Sequence, residues 1–414
     1  MKMLRKVFAI CCFASLLGGC AVDAWRDAGF AGPRPAAAVT GDLEAWIDAR
    51  VAEKRMAYNS PSFTIAIVSG DGVAFEKAYG VKDLETKAPA TLDTTYQIAS
   101  ITKTFVGVVA AEMAIEGAVD LDAPITDYVP EIEFHPSAQS ADITLRLLLS
   151  HQAGFFSNPV NRRNIRVPGL PDGFDPTIAE AYDIDDLLAG AKASTNKHPV
   201  GERYSYSNFG MHLAGYVLAR ADGAPTFADL VQRRLLTPLA MTNTFVRTSD
   251  ERDAGMATPY AYGDDLHHKV FPLGTREYYK VPAWTFGEAT GGAGLSSTAP
   301  DLAKYILGIL NAGDLSSPIT QQTADLFMAP NTEFVMMDEV VFSIGLGWRI
   351  MAFGRYGTVY SHGGHNDGHH GFVVFSPEKR LAVIALTNGA HTANRTLANE
   401  IMLKLMQSYE RGAR

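Results

Sequence analysis

Beyond Cys20 the chain has no cysteine: all three, Cys11, Cys12 and Cys20, fall in the first 20 of its 414 residues. The rest of the sequence therefore has no thiol for a disulfide, a thiolate metal site or a cysteine nucleophile. Basic clusters are also missing, and a net charge of -9 argues against nucleic acid as a partner. The motif Gly-x-Ser-x-Gly occurs nowhere, which removes the nucleophile elbow of an α/β-hydrolase. No internal repeat or long low-complexity run is present. Charged side chains at 20%, against 47% hydrophobic ones, exclude general disorder. The 37 glycines and 21 prolines suit a turn-rich protein rather than a plain helix bundle. The length fits two or three domains, or one large two-lobed enzyme with a sizeable core.

The N-terminus reads as a targeting segment. Lys2, Arg5 and Lys6 precede an apolar stretch at 7–17, far short of the ~20 residues that a spanning helix needs. The stretch ends in Leu17-Gly18-Gly19-Cys20, which resembles the bacterial lipobox that precedes a lipid-modified cysteine. Residues 1–19 are then a signal peptide, and Cys20 becomes a lipidated first residue; plain secretion with cleavage nearby is the alternative. The Ala-, Gly- and Pro-rich residues 20–39 read as a tether. This predicts an exported bacterial envelope protein on the periplasmic side, with the membrane as a partner through the lipid anchor.

Residues 63–69 and 73–80 are β-rich and joined by Gly70-Asp71-Gly72, a hairpin signal. From Ser100 the pattern turns helical, with Phe105, Val106, Val109 and Met113 on one side and Gly117 at the end. A short helix at 144–151 closes at Gly154. Residues 155–290 are rich in Pro, Asp and aromatic side chains, with helical stretches at 208–221 and 227–236. Thr298-Ala299-Pro300-Asp301 sets a cap, a first-turn proline and an acid ahead of a helix over 302–310. Alternation resumes at 345–351, 358–361, 371–375 and 381–387, and a helix at 394–409 closes the chain. The pattern predicts an α+β domain at 40–414. Its antiparallel sheet, flanked by helices, is built from both chain ends, about 40–115 and 290–414. A mostly helical lobe is inserted at about 116–289. Clefts between such lobes are preferred ligand sites.

Three segments carry chemistry. In Ser100-Ile101-Thr102-Lys103, a three-residue helical spacing lets the Ser100 hydroxyl meet the Lys103 amine. The helix N-terminus also offers backbone N–H groups where an oxyanion would develop. A free lysine has a pKa of ~10.4 and a useful base one of ~7–8, so burial and nearby positive charge must supply roughly 4 kcal/mol. Tyr206-Ser207-Asn208 adds a phenol that can share a proton with Lys103, and an amide that can hold a substrate carbonyl. An ammonium beside the phenol is expected to favour the phenolate, making the pair one proton store. Ser361-His362-Gly363-Gly364-His365 is a glycine-rich strand edge, open to close backbone approach, with His362 facing the cleft.

Together the three segments resemble the serine β-lactamase and penicillin-binding-protein superfamily, in its class C-like branch of β-lactamases, DD-peptidases and esterases. The likeness runs from about residue 40 to the C-terminus. It also includes Thr144-Leu145-Arg146-Leu147-Leu148-Leu149-Ser150-His151-Gln152-Ala153-Gly154 and Gly291-Gly292-Ala293-Gly294-Leu295-Ser296-Ser297-Thr298. The resemblance implies Ser100 as the acylated nucleophile, Lys103 as its proton partner and Tyr206 as base and activator of the deacylating water. It implies substrate contacts at Asn208, His362 and Gly364, and an oxyanion hole from the backbone N–H groups of Ser100 and His365. Where many β-lactamases have Lys-Thr-Gly, this chain has His362-Gly363-Gly364, and a neutral imidazole is a poorer partner for a β-lactam carboxylate. The implied activity is hydrolysis of an ester or a peptide-like amide, including one with a D-amino acid, through a Ser100 acyl-enzyme. Partners are then a small ester, a peptide or a peptidoglycan-like substrate. A class C-like β-lactamase, a DD-carboxypeptidase and a penicillin-binding module that accepts an acyl group without turnover are the alternatives. His362, His365, Asp367, His369 and His370 invite a metal reading, but they lack the i, i+4 helical spacing of zincins. Neither a metal nor another cofactor is expected, and residues 366–370 read as a lid over the cleft.

Overall fold

The computed structural model describes residues 39–135, 143–155, 183–246, 255–262, 278–285, 287–288, 290–336, 339–389 and 392–412. The expected leader, Cys20 and the tether up to residue 38 lie outside them. Strands β1 (Ser62–Ser69) and β2 (Gly72–Gly80) form a hairpin near the N-terminal end. Late in the chain come β3 (Thr332–Met336), β4 (Glu339–Ile344) and β5 (Arg349–Ala352). Three more follow: β6 (Thr358–His365), β7 (His370–Ser376) and β8 (Leu381–Thr387). They make one antiparallel sheet in the order β2-β1-β8-β7-β6-β5-β4-β3. The early strand β1 thus pairs with the late strand β8, from Phe63↔Thr387 to Ser69↔Leu381. This is the α+β architecture expected, with the sheet built from both chain ends.

Five helices build the cores: α1 (Gly41–Tyr58), α2 (Thr102–Ile115), α3 (Asn208–Asp222), α4 (Ala299–Leu310) and α5 (Ala393–Gly412), of which α1, α4 and α5 pack on the sheet and α2 and α3 pack on each other. The two-residue period of a strand decides which helices each face meets. Phe63, Ile65 and Ile67 of β1 join Val374, Val383 and Ala385 in a core shared with α1 and α5. The alternate residues Ala66 and Val68 join Val373, Phe375 and Ile384 in the larger core that contains α2, α3 and α4. Helix α2 is buried on nearly every side from Thr102 to Ala111, as a helix apolar all round must be. Helix starts follow side-chain chemistry: Thr144 Oγ1 accepts from Leu147 N, Ser207 Oγ from Gly210 N and Thr298 Oγ1 from Asp301 N. Each such cap contributes about 1 kcal/mol.

The strand expected at 345–351 is broken. Residues 345–348 turn sharply between β4 and β5, and the hairpin of β3 with β4 precedes them. The cause is a contact far away in sequence. Gly347 sits at φ +80, where a Cβ would run into the Lys103 carbonyl. The Leu346 and Gly347 N–H groups bond to the carbonyls of Phe327 and Leu149 instead of to a strand. The helix expected at 227–236 is likewise divided, its second half, Gln232–Leu236, being a π-helical turn.

That turn carries Arg234 to the acidic end of α2. Its guanidinium lies 3.5 Å from Glu112, 3.0 Å from Glu116 and 2.7 Å from Asp222. Burial pushes the Glu112 carboxyl up to about 7, with Arg234 opposing. Between the ordinary glutamate value of 4.5 and about 7, the folded chain keeps a proton that the unfolded chain has released. Stability is therefore predicted to fall as pH rises through that window. Urea titrations of Glu112→Gln should show about 1–2 kcal/mol more stability than the parent at pH 8, and no gain at pH 4.5. An equal difference at both pH values would contradict this account.

Candidate active site

Ser100 lies in a 3-10 turn, Ala99–Ile101, that precedes α2. Ala99 is held at φ +43, a left-handed conformation that costs a non-glycine residue roughly 1–2 kcal/mol. Both flanks of the turn are gripped by Leu295. Its carbonyl accepts from Ile98 N at 2.9 Å, and its N–H donates to Thr102 Oγ1 at 3.1 Å. A short strand, Leu295–Ser297, thus sets where the hydroxyl emerges.

One turn along, the Lys103 side chain is sealed from water and meets three oxygens. Nζ lies 3.1 Å from Ser100 Oγ, 2.7 Å from Asn208 Oδ1 and 2.5 Å from the Gly292 carbonyl. An ammonium would donate to all three. A neutral amine has two N–H groups, one each for Asn208 and Gly292, and turns its lone pair to the Ser100 hydroxyl. Burial first, and then the charge of Arg349, hold the Lys103 pKa well below the ordinary lysine range, which favours the amine.

Tyr206 completes the group, its phenol donating to Ser100 Oγ at 2.8 Å, with Lys103 Nζ 5.0 Å from its ring centroid. Burial raises the Tyr206 pKa; the Ser100 hydrogen bond and Arg349 oppose it. Desolvation disfavours the charged form of each, which favours an amine and a phenol over the expected ammonium and phenolate. Asn208, expected at the substrate, directs its Oδ1 to Lys103.

His362 is buried and its ring Nδ1–H donates to the Gly363 carbonyl at 2.8 Å. Burial, Arg349 and Lys103 all lower its pKa well below the ordinary value, so the imidazole is uncharged. The same couplings put His362 within electrostatic reach of Lys103. The last β5–β6 pair is Arg349↔Ser361, so residues 362–365 run on beside the turn that holds Ser100. Gly364 makes that approach feasible, since a Cβ there would overlap the Ile98 carbonyl oxygen. His365 faces His370 across the β6–β7 ladder, with Nδ1 against Nε2.

Residues 366–369 do not form a lid. The His369 ring accepts from Gln97 N and donates to the Ala257 carbonyl, and Asn366 Nδ2 donates to Gln97 Oε1. Both side chains are buried in the body of the protein. Among the described residues, no group of three or more His, Cys, Asp or Glu side chains is disposed to hold a metal.

Two site residues carried no role in the sequence reading. Arg349, at the start of β5, shifts Lys103, Tyr206, His362 and His151. His151, at φ +60 after the short helix Leu145–Leu149, lies 4.5 Å from the Tyr206 ring. Its carbonyl accepts from Ser205 N at 2.7 Å and its Nδ1 from Ser207 N at 3.3 Å, so it clamps the chain on both sides of Tyr206. His151 stood inside a quoted motif, whereas Arg349 had no local signal beyond a strand.

A family model described as Beta-lactamase matches residues 45–407. Protein flp of Staphylococcus aureus (strain COL) is 22% identical over 350 residues, which is 84% of this chain but 64% of flp. The chain therefore spans under two thirds of that relative's length. Esterase EstB of Burkholderia gladioli is 27% identical over 298 residues, 66% of this chain and 71% of EstB. The octameric penicillin-binding protein homologue from Pyrococcus abyssi superposes with a TM-score of 0.68 at 22% identity, over 89% of this chain and 77% of that one. The beta-lactamase/D-alanine carboxypeptidase from Pseudomonas syringae does so at 0.68 and 20% identity, over 90% and 100%. At these identities the two structures establish the fold.

The geometry predicts that a fluorophosphonate probe modifies Ser100 selectively. Intact-mass kinetics should slow as pH falls through the depressed Lys103 value and the lone pair is lost, and by at least about 100-fold in Lys103→Met. A Lys103→Met protein that reacts as fast as the parent would remove Lys103 from the role of base.

Proposed function

Since the chain belongs to the beta-lactamase family, we propose that it is a serine hydrolase that cleaves an ester or a peptide-like amide through a Ser100 acyl-enzyme. The observation that carries this reading is a single hydroxyl set between a buried amine and a half-buried phenol. In the proposed reaction, Ser100 Oγ attacks the carbonyl carbon as its proton passes to Lys103 Nζ. The oxyanion forms against the backbone N–H groups of Ser100 and His365; losing one such donor costs about 3–4 kcal/mol in other hydrolases. As the tetrahedral species collapses, Tyr206 gives its phenolic proton to the leaving oxygen or nitrogen, and the new Lys103 ammonium steadies the phenolate. The acyl group is now on Ser100. In the second half, a water gives its proton to the Tyr206 phenolate and attacks the acyl carbon. Lys103 then returns its proton to Ser100 Oγ, which releases the acid and restores amine and phenol.

An uncharged His362 at the third motif favours an ester or peptide over a dedicated β-lactam substrate, because imidazole lacks the charge of the family's lysine. The names of two similar proteins, an esterase and a beta-lactamase/D-alanine carboxypeptidase, include the same two substrate classes. We place the enzyme in a bacterial envelope, anchored through lipidated Cys20, on the basic start and lipobox-like Leu17-Gly18-Gly19-Cys20.

A panel of a short-chain aryl ester, a D-Ala-D-Ala peptide and a chromogenic cephalosporin tests the reading. Turnover of the ester or the peptide is expected, with transient acylation of Ser100 seen by mass spectrometry. Ser100→Ala should lose at least about 1,000-fold in kcat/KM while its circular dichroism is unchanged. Permanent acylation without product would make the protein an acyl-accepting binder instead.

A further inference from the structure

Gln97 lies three residues before Ser100, on a short strand, Tyr96–Gln97, that pairs with Ser297 and Ser296. A carboxamide shut away from water must find its hydrogen bonds within the protein, and this residue is only 1% exposed. Its Oε1 accepts from Trp284 N at 2.9 Å and from Asn366 Nδ2 at 3.0 Å, which occupies both lone pairs. Its Nε2 donates to the Trp284 carbonyl at 2.6 Å, and these paired bonds to one residue fix the plane of the amide. The Gln97 backbone N–H donates to His369 Nδ1 at 3.2 Å. One residue thus joins the strand that leads into Ser100, the chain at Trp284 and the turn at 366–369.

That turn adjoins a group the proposed reaction uses. His365 and His370 are the last pair of the β6–β7 ladder. Beyond them Asn366 N donates to the His369 carbonyl at 3.1 Å, and His369 N to Asn366 Oδ1 at 3.0 Å, which closes the turn. Both closing residues are buried, and Gln97 holds both, one through its side chain and one through its backbone. The oxyanion of the proposed reaction forms between the N–H groups of Ser100 and His365. One lies three residues along the chain from Gln97, and the other is next to Asn366.

We infer that Gln97 is a positioning residue, which fixes the His365 N–H group relative to that of Ser100 by holding the 366–369 turn through Asn366 and His369. This rests on the serine-hydrolase reading and adds to it a residue that acts through the backbone. Charge develops on the substrate oxygen only in the transition state, so the spacing of its two donors affects kcat and not substrate binding. Misplacing a reacting group by about 1 Å costs up to about 100-fold in rate, which sets the scale of the effect. An amide that served only the core would change stability and leave kcat alone.

The test uses the full chain and whichever ester or peptide the parent turns over. Gln97→Met keeps the length of the side chain and removes its bonds. Its kcat should fall about 10- to 100-fold, with KM altered by less than about threefold. Phenylboronic acid, whose tetrahedral adduct on Ser100 sets an oxygen against the same two N–H groups, should lose affinity by the same factor. Asn366→Ala should show the same split between kcat and KM, and carries the test if Gln97→Met does not fold. Gln97→Met/Asn366→Ala should lose no more than the worse single variant, because the two residues act through one bond. Parent-like kcat in either single variant, or losses that multiply in the double one, would overturn the inference. A readout without turnover is amide exchange in Ser100→Ala protein, followed by mass spectrometry over 362–370. It should quicken about 10-fold in Ser100→Ala/Gln97→Met, and unchanged exchange there would show that Gln97 does not hold the turn. If the parent turns over none of its substrates while the exchange result stands, the hydrolase reading alone is lost.

Discussion

A lysine side chain shut away from water governs the rest of this molecule. An ammonium so placed would carry a desolvation penalty of several kcal/mol, whereas an amine needs only two acceptors and a donor. The fold provides them from three separate stretches: Ser100 from the turn before α2, Asn208 from the start of α3, and Gly292 from the loop ahead of the strand that grips that turn. The apolar surroundings of α2 keep that penalty high, which lowers the Lys103 pKa and favours the amine. The same burial acts on Tyr206 in the opposite sense, so it favours the uncharged forms of two groups that would be ammonium and phenolate in each other's company. A proton can then move among hydroxyl, amine and phenol without solvent rearranging around each intermediate.

Close backbone approach is the second requirement. Gly364 lets β6 slide beside the turn that holds Ser100, and Gly347 lets the chain fold sharply over the Lys103 carbonyl before β5 begins. That sharp fold delivers Arg349 at the start of β5. The residue that lowers the Lys103 pKa is thus positioned by a turn that rests on Lys103 itself, which ties the electrostatics of the site to the packing of that turn against α2.

Several features needed no partner to be read. The Ser100-to-Lys103 spacing, the Tyr206-Ser207-Asn208 run and the alternation in β1, β7 and β8 follow from local periods, and the cap at Thr298 from its own side chain. The break at 345–348 was not legible, because an alternating stretch looks the same until Phe327, Leu149 and Lys103 occupy the space beside it. The turn at 366–369 misled for the same reason. Its composition suits a mobile loop, and only the bonds from His369 to Gln97 and Ala257 pin it. A histidine such as His151 gives no hint by itself that both its carbonyl and its ring will clamp the chain around Tyr206.

The amino-acid sequence alone determined the α+β class and the strands at both ends, since periodicity acts over a few residues, and it offered Ser100, Lys103 and Tyr206 as candidates through local motifs and a family resemblance. Protonation states, the path of the chain around Gly347 and the part played by Arg349 were decided only in three dimensions. Desolvation and Coulomb coupling depend on which groups lie within a few ångströms, and that distance has no counterpart along the chain.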